Sequence, residues 1–133
     1  MSTLFLKLYP KNSGNKFIDG TAQDIGESLI SDEILKMLGD VTLLPSLQLY
    51  GDAEDNNFSA FPCITGEYIN LLKQKIEEQF IHFRSHPHAH LSTKEELENE
   101  ILEMRVLTNV FYLLWLKETQ YGDDEFAILQ LEM

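Results

Sequence analysis

The sequence predicts an α+β fold: a small antiparallel or mixed sheet with two long helices and one or two shorter helices packed on it. Three observations lead to this prediction. Apolar residues alternate near both ends of the chain, they recur every three or four positions in two long segments, and 44% of the 133 residues are hydrophobic. A chain of this length and composition is expected to form a single domain, residues 1–133.

The first part of the chain begins with a predicted strand. In residues 3–9, leucines alternate with other residues, as in a strand with one buried face. Residues 11–15 have the composition of a loop. From Thr21 onward the apolar residues fit one helix or two short helices, with Ser31 as an N-cap and Gly39 as the stop. This segment is therefore expected to supply the shorter helices.

Extended segments are predicted in the middle and at the end. In residues 41–50, Pro45 indicates an edge strand or a bulge, because proline cannot donate to a strand ladder. Residues 51–57 read as an acidic loop, and residues 58–62 lead into the next element. Residues 125–133 close the chain as a strand. Its faces carry Ala127, Leu129, Leu131 and Met133 on one side and Phe126 and Ile128 on the other.

Two long helices are predicted between these strands. Thr65 caps the first, which ends near Ser85. Residues 92–95, Ser-Thr-Lys-Glu, form a capping box at the start of the second, which ends before Gly122. The expected buried positions are Ile69, Leu72, Ile76, Phe80 and Phe83 in the first and Leu97, Ile101, Met104, Phe111 and Leu114 in the second. From Val106 onward the second helix is apolar on most sides, which predicts a central position in the fold.

The charge of the chain points to the chemistry of its partner. The 22 Asp and Glu outnumber the 10 Lys and Arg, so the formal net charge is −12. Residues 1–18 carry +3, residues 19–58 carry −8, residues 59–91 are neutral and residues 92–133 carry −7. An anionic surface attracts cations and repels phosphates, so we expect a basic protein partner and no direct binding of nucleic acid.

The same pass along the sequence indicates a compartment. No apolar run approaches the roughly 20 residues that a bilayer requires, and the first residues lack the pattern of a secretory leader. Cys63 is the only cysteine, so neither an internal disulfide nor a cysteine-based zinc site can form. We therefore expect a cytoplasmic protein without a membrane partner.

Four histidines form the first candidate for chemistry: His82, His86, His88 and His90. His82 and His86 are four residues apart, a spacing that zinc and nickel sites often use, so a metal site or a pH-sensitive hinge is one interpretation. The other is a polar connector whose imidazoles complement the dipole at a helix C-terminus. We favour the connector because Pro87 breaks the helix and no further ligand has suitable spacing.

Other catalytic arrangements are not indicated. The chain has no phosphate-binding or dinucleotide-binding glycine loop, and residues 52–57 lack the ligand spacing of a calcium loop. Cys63 could act as a nucleophile with a histidine, but a small buried hydrophobic residue is the expected role. We therefore predict a non-enzymatic protein without a cofactor.

Acidic clusters form the remaining candidates for a site. Asp52, Glu54 and Asp55 lie in a loop, where carboxylates can meet a partner, and Tyr50 and Phe58 beside them could provide an apolar anchor. The next candidate is a row on the second long helix, Glu96, Glu100 and Glu103. The alternatives are an exposed polar turn for the loop and a solvated face for the helix.

In general character, over the whole chain, this small, acidic, single-domain protein resembles the immunity proteins that neutralise bacterial toxins, including those of contact-dependent growth inhibition systems. The resemblance implies stoichiometric binding to a basic toxin domain, often a nuclease, with carboxylates occluding its substrate groove. Three alternatives stay open: a nucleic-acid-mimic inhibitor of phage or plasmid type, a small enzyme that uses the His cluster or Cys63, and a subunit that forms a homodimer through its apolar second long helix.

Overall fold

The computed structural model describes residues 2–11, 14–85 and 93–132. Its strands are β1 (Ser2–Leu8), β2 (Phe17–Ile18), β3 (Gln23–Ile30), β4 (Ser46–Tyr50), β5 (Phe58–Ile64) and β6 (Ala127–Glu132). Its helices are α1 (Asp32–Lys36), α2 (Glu67–Ser85) and α3 (Lys94–Gln120), with a 3-10 turn at Val41–Leu43. The predicted α+β class and the two long helices are confirmed.

All six strands belong to one curled sheet in the order β2-β4-β5-β6-β1-β3. Only the β2–β4 pair is parallel among the described strands, so the sheet is mixed. β5 connects the β2–β4 part of the sheet to the part formed by β6, β1 and β3. Its residues Phe58–Pro62 pair with β4, while Cys63 and Ile64 pair with β6. The prediction of a small sheet was wrong, because this bridging strand lies where the sequence suggested only a connecting segment.

A second correction concerns residues 23–30, which form strand β3 and not a helix. Their apolar spacing fits a helix, but pairing along the whole length of β1, from Ser2↔Ile30 to Leu8↔Gln23, decides the conformation. The helix begins only after this strand. Ser31 is its N-cap, as predicted, and its Oγ accepts a hydrogen bond from the Ile34 amide at 3.3 Å.

Residues 41–50 are extended only in their second half. Asp40 caps the 3-10 turn that occupies Val41–Leu43, and β4 begins after Pro45. The carbonyl of Pro45 accepts a hydrogen bond from the Cys63 amide at 2.8 Å. The proline therefore stands at the start of a strand, where its missing N–H costs no ladder bond. Among the described strands, β2, which has two residues, lies beyond β4 at the edge of the sheet.

Two clusters of buried side chains lie on opposite faces of the sheet. Adjacent residues of β5 show the division, because Ile64 belongs to the cluster beneath the helices and Cys63 to the other. The helix-side cluster contains buried residues from all three helices, which confirms that the helices pack on one side. The second cluster contains Tyr9, Leu47, Leu49, Cys63 and Phe126.

The buried side of α3 matches the prediction only in part: Leu114 is buried and Met104 and Phe111 pack against the core, as expected. Its buried residues are Leu107, Val110, Leu113 and Leu114. Leu97 and Ile101, expected in the core, are 37% and 36% exposed. The second half of α3 is not central either, because the helix lies over β3, β1 and β6 with its other side in solvent. Thr93 is the N-cap, and the predicted start at Ser92 lies outside the described residues.

Within the described ranges, no helix combines the length and the apolar character needed to cross a membrane.

Candidate functional site

The acidic loop between β4 and β5 is built by its own carboxylates. Asp52 Oδ1 accepts a hydrogen bond from the Glu54 amide at 2.9 Å, and Asp55 Oδ1 accepts one from the Asn57 amide at 3.0 Å. Such side-chain turns fix the loop locally. Each carboxylate has a second oxygen with accepting capacity, so both residues can shape the loop and still present negative charge. Glu54 lies exposed between them.

An aromatic pair closes the hairpin beside this loop. Tyr50 ends β4, Phe58 begins β5, and the two residues are direct partners across the ladder. Their ring centroids are 5.6 Å apart with the planes tilted by 56°. Phe58 is 49% exposed. Aromatic cross-strand pairs stabilise hairpins, and an exposed ring of this size is also the kind of side chain that anchors protein interfaces.

Lys16 holds the loop against the rest of the sheet, a role that the sequence did not reveal. Its ammonium donates hydrogen bonds to the carbonyls of Ala53, at 3.2 Å, and Asp55, at 2.9 Å. The same Nζ lies 4.6 Å from the ring centroid of Tyr50, in a cation–π contact. The residue reaches the loop because β2, which follows it in the chain, runs parallel to β4.

A fourth carboxylate, that of Asp19, lies beside the hairpin at a shallow depression with a volume of 310 Å³. Asp19, which follows β2, lines this depression together with Tyr50, Asp55 and Phe58. Its amide donates to the Tyr50 carbonyl at 2.8 Å, which fixes its position against β4. The hairpin surface, as it is called below, comprises Asp19, Tyr50, Asp52, Glu54, Asp55 and Phe58.

The helix carboxylates lie elsewhere, along a groove between α2 and α3. Glu96, Glu100 and Glu103 line this groove, which has a volume of 340 Å³, together with His82 and Phe83 of α2. Glu100 is half-buried there. The structure therefore brings the three glutamates together, as their helical spacing implies, but on the wall of a groove and not on a protruding ridge.

Of the four histidines, only His82 lies within the described residues, in the last turn of α2. His86, His88 and His90 lie outside them. In the part of the chain that the structure describes, no three His, Cys, Asp or Glu side chains are arranged to hold a metal ion. The expectation that the histidines are not a required metal site stays a prediction.

Cys63 is buried, as expected, with 4% of its surface exposed. Its thiol donates to the Pro45 carbonyl at 3.3 Å, and burial raises the pKa of the thiol. The reactive form of cysteine is the thiolate, so both features work against a role as a nucleophile.

Comparison with known proteins identifies no relative of this chain. No family model matches the chain, and neither a curated protein nor a solved structure matches it. The geometry and charge of the hairpin and of the groove between α2 and α3 are therefore the features that bear on function.

Proposed function

We propose that the protein is a non-enzymatic, acidic binding protein that neutralises a basic toxin domain, such as a nuclease, by occluding its substrate groove. The observation that carries the proposal is the hairpin surface, where the half-buried Tyr50 and the exposed Phe58 pair beside a loop and a depression that together carry four carboxylates, on a chain of net charge −12. The proposed site of action is the cytoplasm.

The hairpin surface combines two features of tight protein interfaces. A few buried aromatic residues supply most of the affinity in such interfaces, and Phe58 has the free surface for this role. Complementary charges around the anchor favour one orientation and speed association. Asp52, Glu54 and Asp55 can make contact with lysine and arginine side chains while the ring enters an apolar pocket of the partner.

The loop also has a low entropic cost of binding. Turns made by Asp52 and Asp55, together with the two bonds from Lys16, hold its backbone before any partner arrives. Ordering a flexible loop on binding would consume part of the interaction energy. A preformed loop avoids this cost, which suits a protein that must bind its target tightly.

Affinity capture from the native host with matched variants tests the proposal. The loop variant carries Asp52→Asn, Glu54→Gln and Asp55→Asn. These amides preserve the turns, because an asparagine oxygen can accept the same backbone hydrogen bonds. The control variant carries Glu33→Gln, Glu77→Gln and Glu125→Gln, three exposed positions away from the hairpin. Both variants lose three negative charges, so they differ only in where the charge is lost.

The proposal predicts that wild type and control retain one basic protein in equal amounts and that the loop variant loses it. An acidic partner, equal capture by the loop variant, or hydrolytic activity of the isolated chain would contradict it.

A further inference from the structure

The side of α3 that faces solvent presents a second, quite different surface. Its exposed residues follow one another at intervals of three and four. The outer row, as it is called below, is Leu97, Ile101, Arg105, Thr108, Tyr112, Trp115 and Thr119. Intervals of three and four bring side chains onto one helical stripe, and they are the spacing with which a helix packs along another helix.

The middle of the outer row, from Arg105 to Trp115, is free of negative charge. The chain has 22 acidic residues, yet residues 104–117 contain none. Arg105 carries the positive charge of this stretch on the outer row, and it forms no ion pair within the described ranges. Two copies with a net charge of −12 repel each other, and this electrostatic repulsion is smallest where neither copy presents a carboxylate. A basic partner, by contrast, gains nothing from this face.

The two threonine hydroxyls of the outer row already have hydrogen-bond partners within α3. The hydroxyl of Thr108 donates to the Met104 carbonyl at 2.8 Å, and that of Thr119 donates to the Trp115 carbonyl at 2.7 Å. Covering these residues therefore leaves no threonine hydroxyl without a partner. The rings of Tyr112 and Trp115 stack with centroids 5.9 Å apart and planes 20° apart, so they lose little further freedom on contact.

From these observations we propose that α3 pairs with α3 of a second copy, antiparallel about a twofold axis near Thr108. The spacing of the row is nearly symmetric about this residue. Ile101 then lies opposite Trp115 of the second copy, and Arg105 lies opposite the ring of Tyr112 of the second copy, where a cation–π contact is favourable. Each contact occurs twice, as a twofold interface requires, and the small Thr108 lets the helices approach closely.

This dimer is independent of the proposed function. α3 packs on β3, β1 and β6, toward one edge of the sheet. The hairpin surface lies at the end of β4 and β5, toward the opposite edge. Both hairpin surfaces therefore remain open in the dimer. Salt acts on the two associations in opposite directions, because screening weakens the repulsion between copies and also weakens attraction to a basic partner.

Sedimentation velocity of the full chain over a range of concentrations, at low and at high salt, tests the dimer. We expect a concentration-dependent rise from 15.4 kDa toward twice that mass, with more dimer at high salt. Trp115 is the only tryptophan and is 42% exposed in one copy, so its emission should shift to shorter wavelength as the dimer forms. A single species of 15.4 kDa under all conditions, or a mass that rises without a tryptophan shift, would overturn the proposal.

Substitutions locate the interface. Thr108→Glu brings two carboxylates together at the axis and should raise the dissociation constant at least about tenfold. Asn70→Glu adds the same charge on the exposed side of α2 and should leave it unchanged. Circular dichroism checks that each variant is folded, and Arg105→Glu offers a second disruptive change at an exposed position. Dimers that persist in both folded row variants would overturn the assignment to α3.

Discussion

At the scale of single residues, the most informative group is buried on the face opposite the helices. Gln130 is fully buried, and its Oε1 accepts a hydrogen bond from the Tyr9 hydroxyl at 2.6 Å. Its amide donates to Glu132 at 3.2 Å, and Glu132 forms an ion pair with Lys7 at 3.4 Å. The sequence placed a polar residue at position 130 but could not show that a tyrosine 121 positions away satisfies it.

Tyr9→Phe tests this group through pH. Burial, followed by the charges of Asp19, Glu132 and Asp24, raises the pKa of Tyr9 to about 12. Its unfolded pKa is about 10, so its contribution to stability is complete below pH 10 and is lost as pH rises toward 12. We expect Tyr9→Phe to cost about 1–3 kcal/mol at neutral pH, because Gln130 loses its donor.

The measurement is denaturant unfolding of both proteins at neutral pH, pH 10 and above. The other tyrosines titrate in both, so the difference between them isolates Tyr9. A difference in unfolding free energy that stays constant up to pH 12 would contradict the account.

The histidines give a second prediction at this scale. We expect chelator-treated protein to keep its circular dichroism spectrum and its melting temperature, because the spacing of the four histidines does not favour a fixed tetrahedral site. Metal analysis after mild chelation should find no stoichiometric ion. Loss of structure that zinc restores would reverse this interpretation.

At the scale of elements, the pairing of β3 with β1 explains why residues 23–30 form a strand where the sequence predicted a helix. Long helices and terminal strands were predictable because their period continues over many residues. Residues 23–30 were not, because the buried face of β3 carries Ser28 and Ile30 while Leu29 is 53% exposed, so the apolar spacing does not show the strand period and pairing with β1 decides the conformation. Gly26 marks the close approach of β3 to α3: a Cβ there would lie 2.7 Å from Leu113 Cδ2.

A double-mutant cycle tests this contact. Gly26→Ala should cost about 1–3 kcal/mol, because the added methyl group overpacks against a buried leucine. Leu113→Ala alone should cost about 2–5 kcal/mol, since it leaves a cavity. Together the two changes should cost at least about 0.5 kcal/mol less than their sum, because the smaller side chain makes room for the methyl group. Strict additivity of the unfolding free energies would show that the two residues do not meet.

At the scale of the whole molecule, the division of charge predicts two surfaces with different partners. Much of the hairpin surface could be anticipated from sequence, because Tyr50, Asp52, Glu54, Asp55 and Phe58 are close together in the chain. Asp19 and Lys16 could not, since only the parallel pairing of β2 with β4 brings them to the loop. The outer row was anticipated only as a possible homodimer interface on the second long helix, and its residues could not be identified because Leu97 and Ile101 look like core residues until the position of the sheet is known.

The most direct test of the central claim is the association rate between this protein and the basic partner obtained by capture. We expect the rate to fall steeply as ionic strength rises. We also expect the loop variant, with Asp52→Asn, Glu54→Gln and Asp55→Asn, to keep its side-chain turns and to bind more weakly by several kcal/mol, since loss of one member of a desolvated charge pair costs about 2–5 kcal/mol. The changes Asp123→Asn and Asp124→Asn, beyond α3, should matter much less. Equal binding by wild type and the folded loop variant at low salt would contradict the claim.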